Sequence, residues 1–162
     1  MQNFSGKYSV SIDKKGRFAF PVKHRNAIDE KHTDKIYLTR GRARCVFAFD
    51  KPRWEQFEQN IDNLELSYKE KELVIRAFIG HMIDVPMDNS GRITIPRELI
   101  VFGQLEDLEE VKLVGMNDKI EIWNPELFRD EAEKDEEKLQ NIMDTKFVVR
   151  GSGTQRSTAS GE

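Results

Sequence analysis

The sequence predicts an α+β protein: a small β-barrel closed by two related halves, with helices covering part of it. Three observations predict this. First, DKKGRFAFP at 13–21 returns as DNSGRITIP at 88–96. Asp13, Gly16, Arg17 and Pro21 thus recur as Asp88, Gly91, Arg92 and Pro96, each 75 residues later. Repetition at a fixed offset is the mark of duplicated architecture. Second, short alternating runs of strand type precede and follow each copy. Third, four strands per half cannot bury two faces alone, whereas two halves about a pseudo-twofold axis can.

The elements follow in order. YSVSI (8–12) alternates into the first motif. Asp13 to Gly16 reads as a tight turn, because a carboxylate can cap nearby N–H groups and Gly tolerates positive φ. Arg17 to Phe20 reads as the returning strand, which Pro21 ends. VKHRNAI (22–28) is a short helix. KIYLT (35–39) and CVFAF (45–49) flank a Gly-Arg turn at 41–42. A helix over 50–61 starts with Asp50 as N-cap and Pro52 in its first turn. A second helix spans 65–80, where Leu66, Leu73, Ala77 and Phe78 fall at partly helical spacing and Gly80 suits the end.

The second half repeats the plan. MIDVPM (82–87) leads into the second motif, PRELI (96–100) is its short helix, and EVKLVG (110–115) and KIEIW (119–123) match the strands at 35–40 and 45–49. A charged helix over 124–142 begins with Asn124 as N-cap and Pro125 at its first position. The halves divide as 1–80 and 81–142. Residues 143–162 form a C-terminal extension, with a tail from about 150 expected to be disordered.

Composition bounds the function. One cysteine, Cys45, allows no disulfide within the chain and reads as a small buried side chain in a reducing compartment. No stretch approaches ~18 apolar residues, and MQNFSGKYSV lacks the apolar core of a signal peptide, so no membrane role and a cytoplasmic place are expected. The net charge of −3 argues at first against nucleic acid. Its distribution argues otherwise. Residues 1–60 carry 13 Lys/Arg against 7 Asp/Glu, a surplus of six positive charges; residues 61–162 carry 13 against 22, a surplus of nine negative. One basic face is compatible with that layout.

The candidate ligand-binding residues gather on the first turn. Lys14, Lys15 and Arg17 can straddle phosphates, and Arg can read guanine with two hydrogen bonds. The bland alternative is an Arg17–Asp13 ion pair that merely locks the turn. Arg92 is the counterpart of Arg17, but its turn carries Asn89 and Ser90 in place of two lysines. Lys23 and Arg25 extend the basic patch. Asp13, Gly16, Pro21, Asp88, Gly91 and Pro96 are assigned to turn structure. His24, His32 and His81 have no partners at zinc-motif spacing and read as ordinary surface or boundary residues. No phosphate loop, dinucleotide glycine pattern or nucleophile elbow is present, so no catalysis, metal or cofactor is expected. The acidic residues at 126–137 read as a solvated helix face or as receivers for basic residues of a neighbouring subunit. Trp54 and Trp123 read as core or interface anchors.

These residues resemble the MraZ family of bacterial regulators, linked to the cell-division and cell-wall gene cluster. The likeness lies in Phe4-Ser5-Gly6, in Asp13-Lys14-Lys15-Gly16-Arg17 with Pro21, and in Arg25. It continues in Asp88-Asn89-Ser90-Gly91-Arg92-Ile93 with Ile95-Pro96, in Leu99 and Gly115, and in Glu121-Ile122-Trp123, so that it runs over roughly 1–142.

The resemblance implies two swapped-hairpin elements like those of AbrB-type regulators and MazE-type antitoxins, closed into one barrel. It implies binding of double-stranded DNA at short guanine-rich direct repeats upstream of the protein's own operon, with repression as the outcome and the nucleoid as the place. It also implies a homo-oligomeric ring of about eight to twelve subunits, a closed cyclic assembly. Carried onto this chain, DNA contacts come from Lys14, Lys15 and Arg17, with Arg92 as the matching residue of the second motif. The alternative expectation is a non-catalytic protein-interaction module that ignores DNA.

Overall fold

Chain alternation and chain duplication together set the sheet. The structure, a computed structural model, describes residues 2–147. These fall in two units, one up to Phe128 and one from Arg129 onward. The first unit holds β1 (Lys7–Ser11), β2 (Arg17–Ala19), α1 (Val22–Ala27), β3 (Lys35–Arg40), β4 (Val46–Phe49), α2 (Lys51–Asp62) and α3 (Tyr68–Phe78). It continues with β5 (Ile83–Pro86), β6 (Arg92–Thr94), α4 (Arg97–Phe102), β7 (Glu110–Gly115), β8 (Ile120–Trp123) and the first residues of α5 (Pro125–Ile142).

Six strands form one antiparallel sheet in the order β1-β7-β8-β4-β3-β5, and β2 and β6 form a separate two-stranded ribbon. Exchanging each strand for its counterpart in the other half turns the six-strand order into its own reverse. That is the expected pseudo-twofold relation. Among the described residues only β3–β4 and β7–β8 pair within a half; the ladders β1–β7, β3–β5, β4–β8 and β2–β6 all cross between halves. The returning strand of each motif therefore does not pair with the strand before it. It pairs with the other motif's returning strand, the swapped arrangement that the resemblance implies.

The hydrogen-bond ladder does not run round a closed barrel. β1 and β5 are the edges of the six-stranded sheet, because the three-residue strands β2 and β6 leave for their own ribbon and Pro21 and Pro96 end them. Phe18 and Ile93 of the ribbon face the sheet and join Leu38, Val111, Leu113, Ile122 and Leu99 in the main core. The opposite face of the sheet carries Phe47, Phe49 and Trp123, with Trp54, Phe57 and Phe78 of the helices against them. Val46 and Ala48 serve one core and Phe47 and Phe49 the other, so all four residues of β4 are buried, as period-2 alternation between two covered faces requires.

Helix boundaries follow their caps. Asp50 Oδ1 accepts from Arg53 N at 3.2 Å and starts α2. Ser67 and Glu70 form a reciprocal capping box for α3. The helix expected over 65–80 is shorter for that reason, and a 3₁₀ turn at Ile79–His81, rather than a glycine cap at Gly80, follows it. Asn124 Oδ1 accepts from Glu126 N at 2.9 Å and starts α5.

In the second unit, α5 runs on to Ile142, followed by a π-helical turn at Met143–Phe147. Leu139, Ile142, Met143 and Phe147 are exposed there. The tail expected from about 150 lies outside the described residues.

Candidate nucleic-acid interface

The two motif turns have one backbone design. Asp13 Oδ1 accepts from Lys15 N and Arg17 N, each at 2.9 Å, and Asp88 Oδ1 accepts from Ser90 N and Arg92 N at the same distances. The fourth position of each turn is a glycine at positive φ, +82° for Gly16 and +74° for Gly91. Gly16 N and Gly91 N each donate to the carbonyl of their own turn's aspartate at 3.0 Å.

Each turn is then locked by the opposite half. Ile95 N donates to Gly16 O at 2.8 Å and Phe20 N donates to Gly91 O at 2.9 Å. The ribbon between the turns pairs Arg17 with Thr94, Phe18 with Ile93 and Ala19 with Arg92. Since Phe18 and Ile93 point inward, Arg17, Ala19, Arg92 and Thr94 share the outward face. Arg17 and Arg92 are diagonal neighbours on that face, both exposed. A groove of about 520 Å³ beside the ribbon is lined by Ser11, Asp13, Arg17, Ala19 and Arg92 among others.

The electrostatics differ between the turns. Arg17 Nε donates to Asp13 Oδ2 at 2.6 Å, so the Arg17–Asp13 ion pair exists and leaves the two Nη nitrogens unspent on Asp13. The Arg17 backbone N–H, and after it the Arg17 side chain, hold the Asp13 carboxyl below its ordinary value. Asp88 is likewise lowered, chiefly by the Arg92 backbone N–H. Lys14 and Lys15 are exposed on the first turn, Asn89 and Ser90 on the second.

Lys23 is exposed on α1. Arg25 is half-buried and turned toward the second turn, where its Nη1 donates to Ser90 O at 2.5 Å. The structure thus gathers Lys14, Lys15, Arg17 and Arg92 on one ribbon and its turns, and sets Arg25 behind it. Thr94 and Ala19 complete the ribbon face. Sequence reasoning passed over them, although alternation outward from Arg92 and Arg17 marks both.

His24 is a correction. It is fully buried, not a surface or boundary residue. It stands 75 residues before Leu99, which is also fully buried, so α1 uses an imidazole where α4 uses leucine. His24 Nε2 donates to Ser5 O at 3.0 Å, Nδ1 has no partner among the described residues, and burial pushes its pKa down. Cys45 is buried beside Glu121, with Sγ 3.7 Å from Oε2, and burial drives the thiol's pKa well up. No helix among the described residues is long and apolar enough to cross a membrane.

Comparison with protein-family models gives two successive matches to one family, described as "MraZ protein, putative antitoxin-like", over residues 3–77 and 78–150. The two matches begin 75 residues apart, the same offset as the motifs, and together span most of the chain. The chain belongs to the MraZ family.

Proposed function

We propose that this protein is a sequence-specific DNA-binding transcriptional regulator, a repressor of the division and cell-wall gene cluster that binds short direct repeats upstream of its own operon. The observation that carries the reading is the β2–β6 ribbon, with Arg17 and Arg92 on its exposed face and Lys14 and Lys15 at one end. A two-stranded ribbon fits the major groove, where Arg can engage guanine O6 and N7 together. The lysines neutralise phosphates, which gives affinity and salt sensitivity but no sequence information.

On this reading the sheet and ribbon form the swapped-hairpin barrel of two AbrB-like halves, 1–80 and 81–142, with 143–162 as an extension. A ring of about eight to twelve subunits presents one such ribbon per subunit to successive repeats. Single-ribbon binding is weak, and linkage of several ribbons raises effective affinity without new contacts. Repression follows from occupancy of the promoter, without catalysis or cofactor, on the nucleoid in the cytoplasm.

The test is binding to duplexes that carry one to four of the repeats upstream of the gene. Affinity that climbs steeply with repeat number supports the reading. Affinity that is independent of repeat number removes the ring from it. A second reading, a protein-interaction module, is favoured by the exposed apolar residues Leu139, Ile142, Met143 and Phe147. That module would bind a protein partner and leave repeat DNA unbound at moderate salt.

A further inference from the structure

We infer that Arg25 is a positioning residue: it acts on DNA through the second motif turn and Arg92, not by touching DNA. The inference rests on the DNA-binding reading above. Its geometry is independent of it.

The two turns share a backbone but not a support. Behind Gly16 stands Ile100, whose Cδ1 would lie 3.3 Å from a Cβ on that glycine. Behind Gly91 stands Arg25, whose Cδ would lie 2.5 Å from a Cβ there. Ile100 follows Arg25 by 75 residues, so both occupy the same place on their short helices α1 and α4. Each helix supports the turn of the opposite half. The aliphatic stem of Arg25 does what Ile100 does, and its guanidinium adds a charge-assisted hydrogen bond to Ser90 O at 2.5 Å. Isoleucine has no donor to offer the matching Lys15 carbonyl.

The consequence reaches Arg92 in two steps. Arg25 fixes the Ser90 carbonyl, and Asp88 Oδ1 fixes the amides of Ser90 and Arg92. The backbone from which the Arg92 side chain leaves is thereby set from beneath. The second turn lacks the lysines of the first, so placing Arg92 is its main means of acting on DNA. Arg25 is committed to that task by its stem as well as its head.

The experiment uses the full chain and three readouts: amide exchange without DNA, the salt slope of binding to repeat DNA, and a double-mutant cycle with Arg92. Arg25→Ala should speed exchange at Ser90, Gly91 and Arg92 while Lys15, Gly16 and Arg17 keep their protection. Its affinity for repeat DNA should fall roughly three- to tenfold, the loss expected of one hydrogen bond, with the salt slope unchanged. The same change in an Arg92→Ala background should cost much less. Arg25→Lys, which keeps the stem and one donor, and Arg25→Ile, which copies the first turn, should each restore part of the protection. A salt slope reduced by about 0.9 with turn-two exchange unaltered would make Arg25 a phosphate contact and overturn the inference. So would unchanged exchange and affinity together. If the unaltered protein does not distinguish repeat from scrambled DNA, the regulator reading fails, and the exchange data still decide what Arg25 does to the turn.

Discussion

Asp13 holds Arg17 in two ways at once: its Oδ1 accepts the Arg17 backbone N–H at 2.9 Å and its Oδ2 accepts Arg17 Nε at 2.6 Å. One carboxylate thus sets both the turn and the direction of the guanidinium. Asp13→Asn keeps an oxygen for the amides and loses the ionic hold on Arg17, whereas Asp13→Ala loses both. DNA affinity should fall in both, and backbone order of the turn, followed by amide exchange, should fall only in the alanine variant. Because the folded pKa of Asp13 is lowered, its contribution is complete above the ordinary value of 3.8 and is lost as pH falls through the lowered value. Between pH 5 and 8 this pair should give DNA binding no pH dependence.

The two ribbon arginines should differ. Arg17→Ala removes the residue beside Lys14 and Lys15 and should cut binding to repeat DNA most. Arg92→Ala, from the turn with Asn89 and Ser90, should cut it less. Equal losses by Arg17→Ala on repeat and random DNA would mark Arg17 as a phosphate contact only.

His24 predicts acid sensitivity. Its folded pKa lies below the ordinary 6.5, so the unfolded chain takes up more protons as pH falls beneath that value. The stability lost should be fully present above about pH 6.5 and decline below it, toward the lowered folded value. A proton on Nδ1 would be a buried donor with no acceptor beside the Phe4 and Tyr8 rings. His24→Leu, which copies Leu99, should flatten unfolding midpoints between pH 7 and 5.

The buried pair Asp50–Arg53 should be costly to break. Asp50 is 0% and Arg53 6% exposed, and Arg53 also donates to Ala27 O and Gln2 O and lies over the Phe4 ring. Arg53→Ala leaves a buried carboxylate without its cation, which should lower stability by about 3–5 kcal/mol in denaturant unfolding.

Gly16→Ala should destabilise by about 1–2 kcal/mol from its φ of +82° alone, since a left-handed L-residue costs that much. Its Cβ would also lie 2.9 Å from the Ile95 carbonyl, which is backbone and cannot swing aside. A loss of thermal stability larger than that for Arg17→Ala would separate turn geometry from turn chemistry.

The sequence made the duplicated plan legible because Asp, Gly, Arg and Pro each do a job that other residues do badly. Carboxylate capping, positive φ and strand ending left four fixed letters per copy. Caps at Asp50 and Asn124 were readable for the same reason. The cross-half ladders are long-range pairings with no local signal, so the separate ribbon, and with it the open edges at β1 and β5, came only from the structure. The polarity of imidazole points His24 to the surface, whereas its 75-residue offset from Leu99 places it in the core. The charge of Arg25 is visible in the sequence and places it with the basic patch, whereas its direction is not. Only the fold shows it turned toward Ser90.

The central claim is that the ribbon reads DNA through Arg17. Its most direct test is equilibrium binding of the protein and of Arg17→Ala to repeat and scrambled duplexes across a salt series. Binding should be tighter to the repeats, with that preference lost in the variant and the salt slope little changed, because Lys14 and Lys15 keep the phosphate contacts. Equal binding to both duplexes by the unaltered protein, or an Arg17→Ala variant that still prefers the repeats, would contradict it.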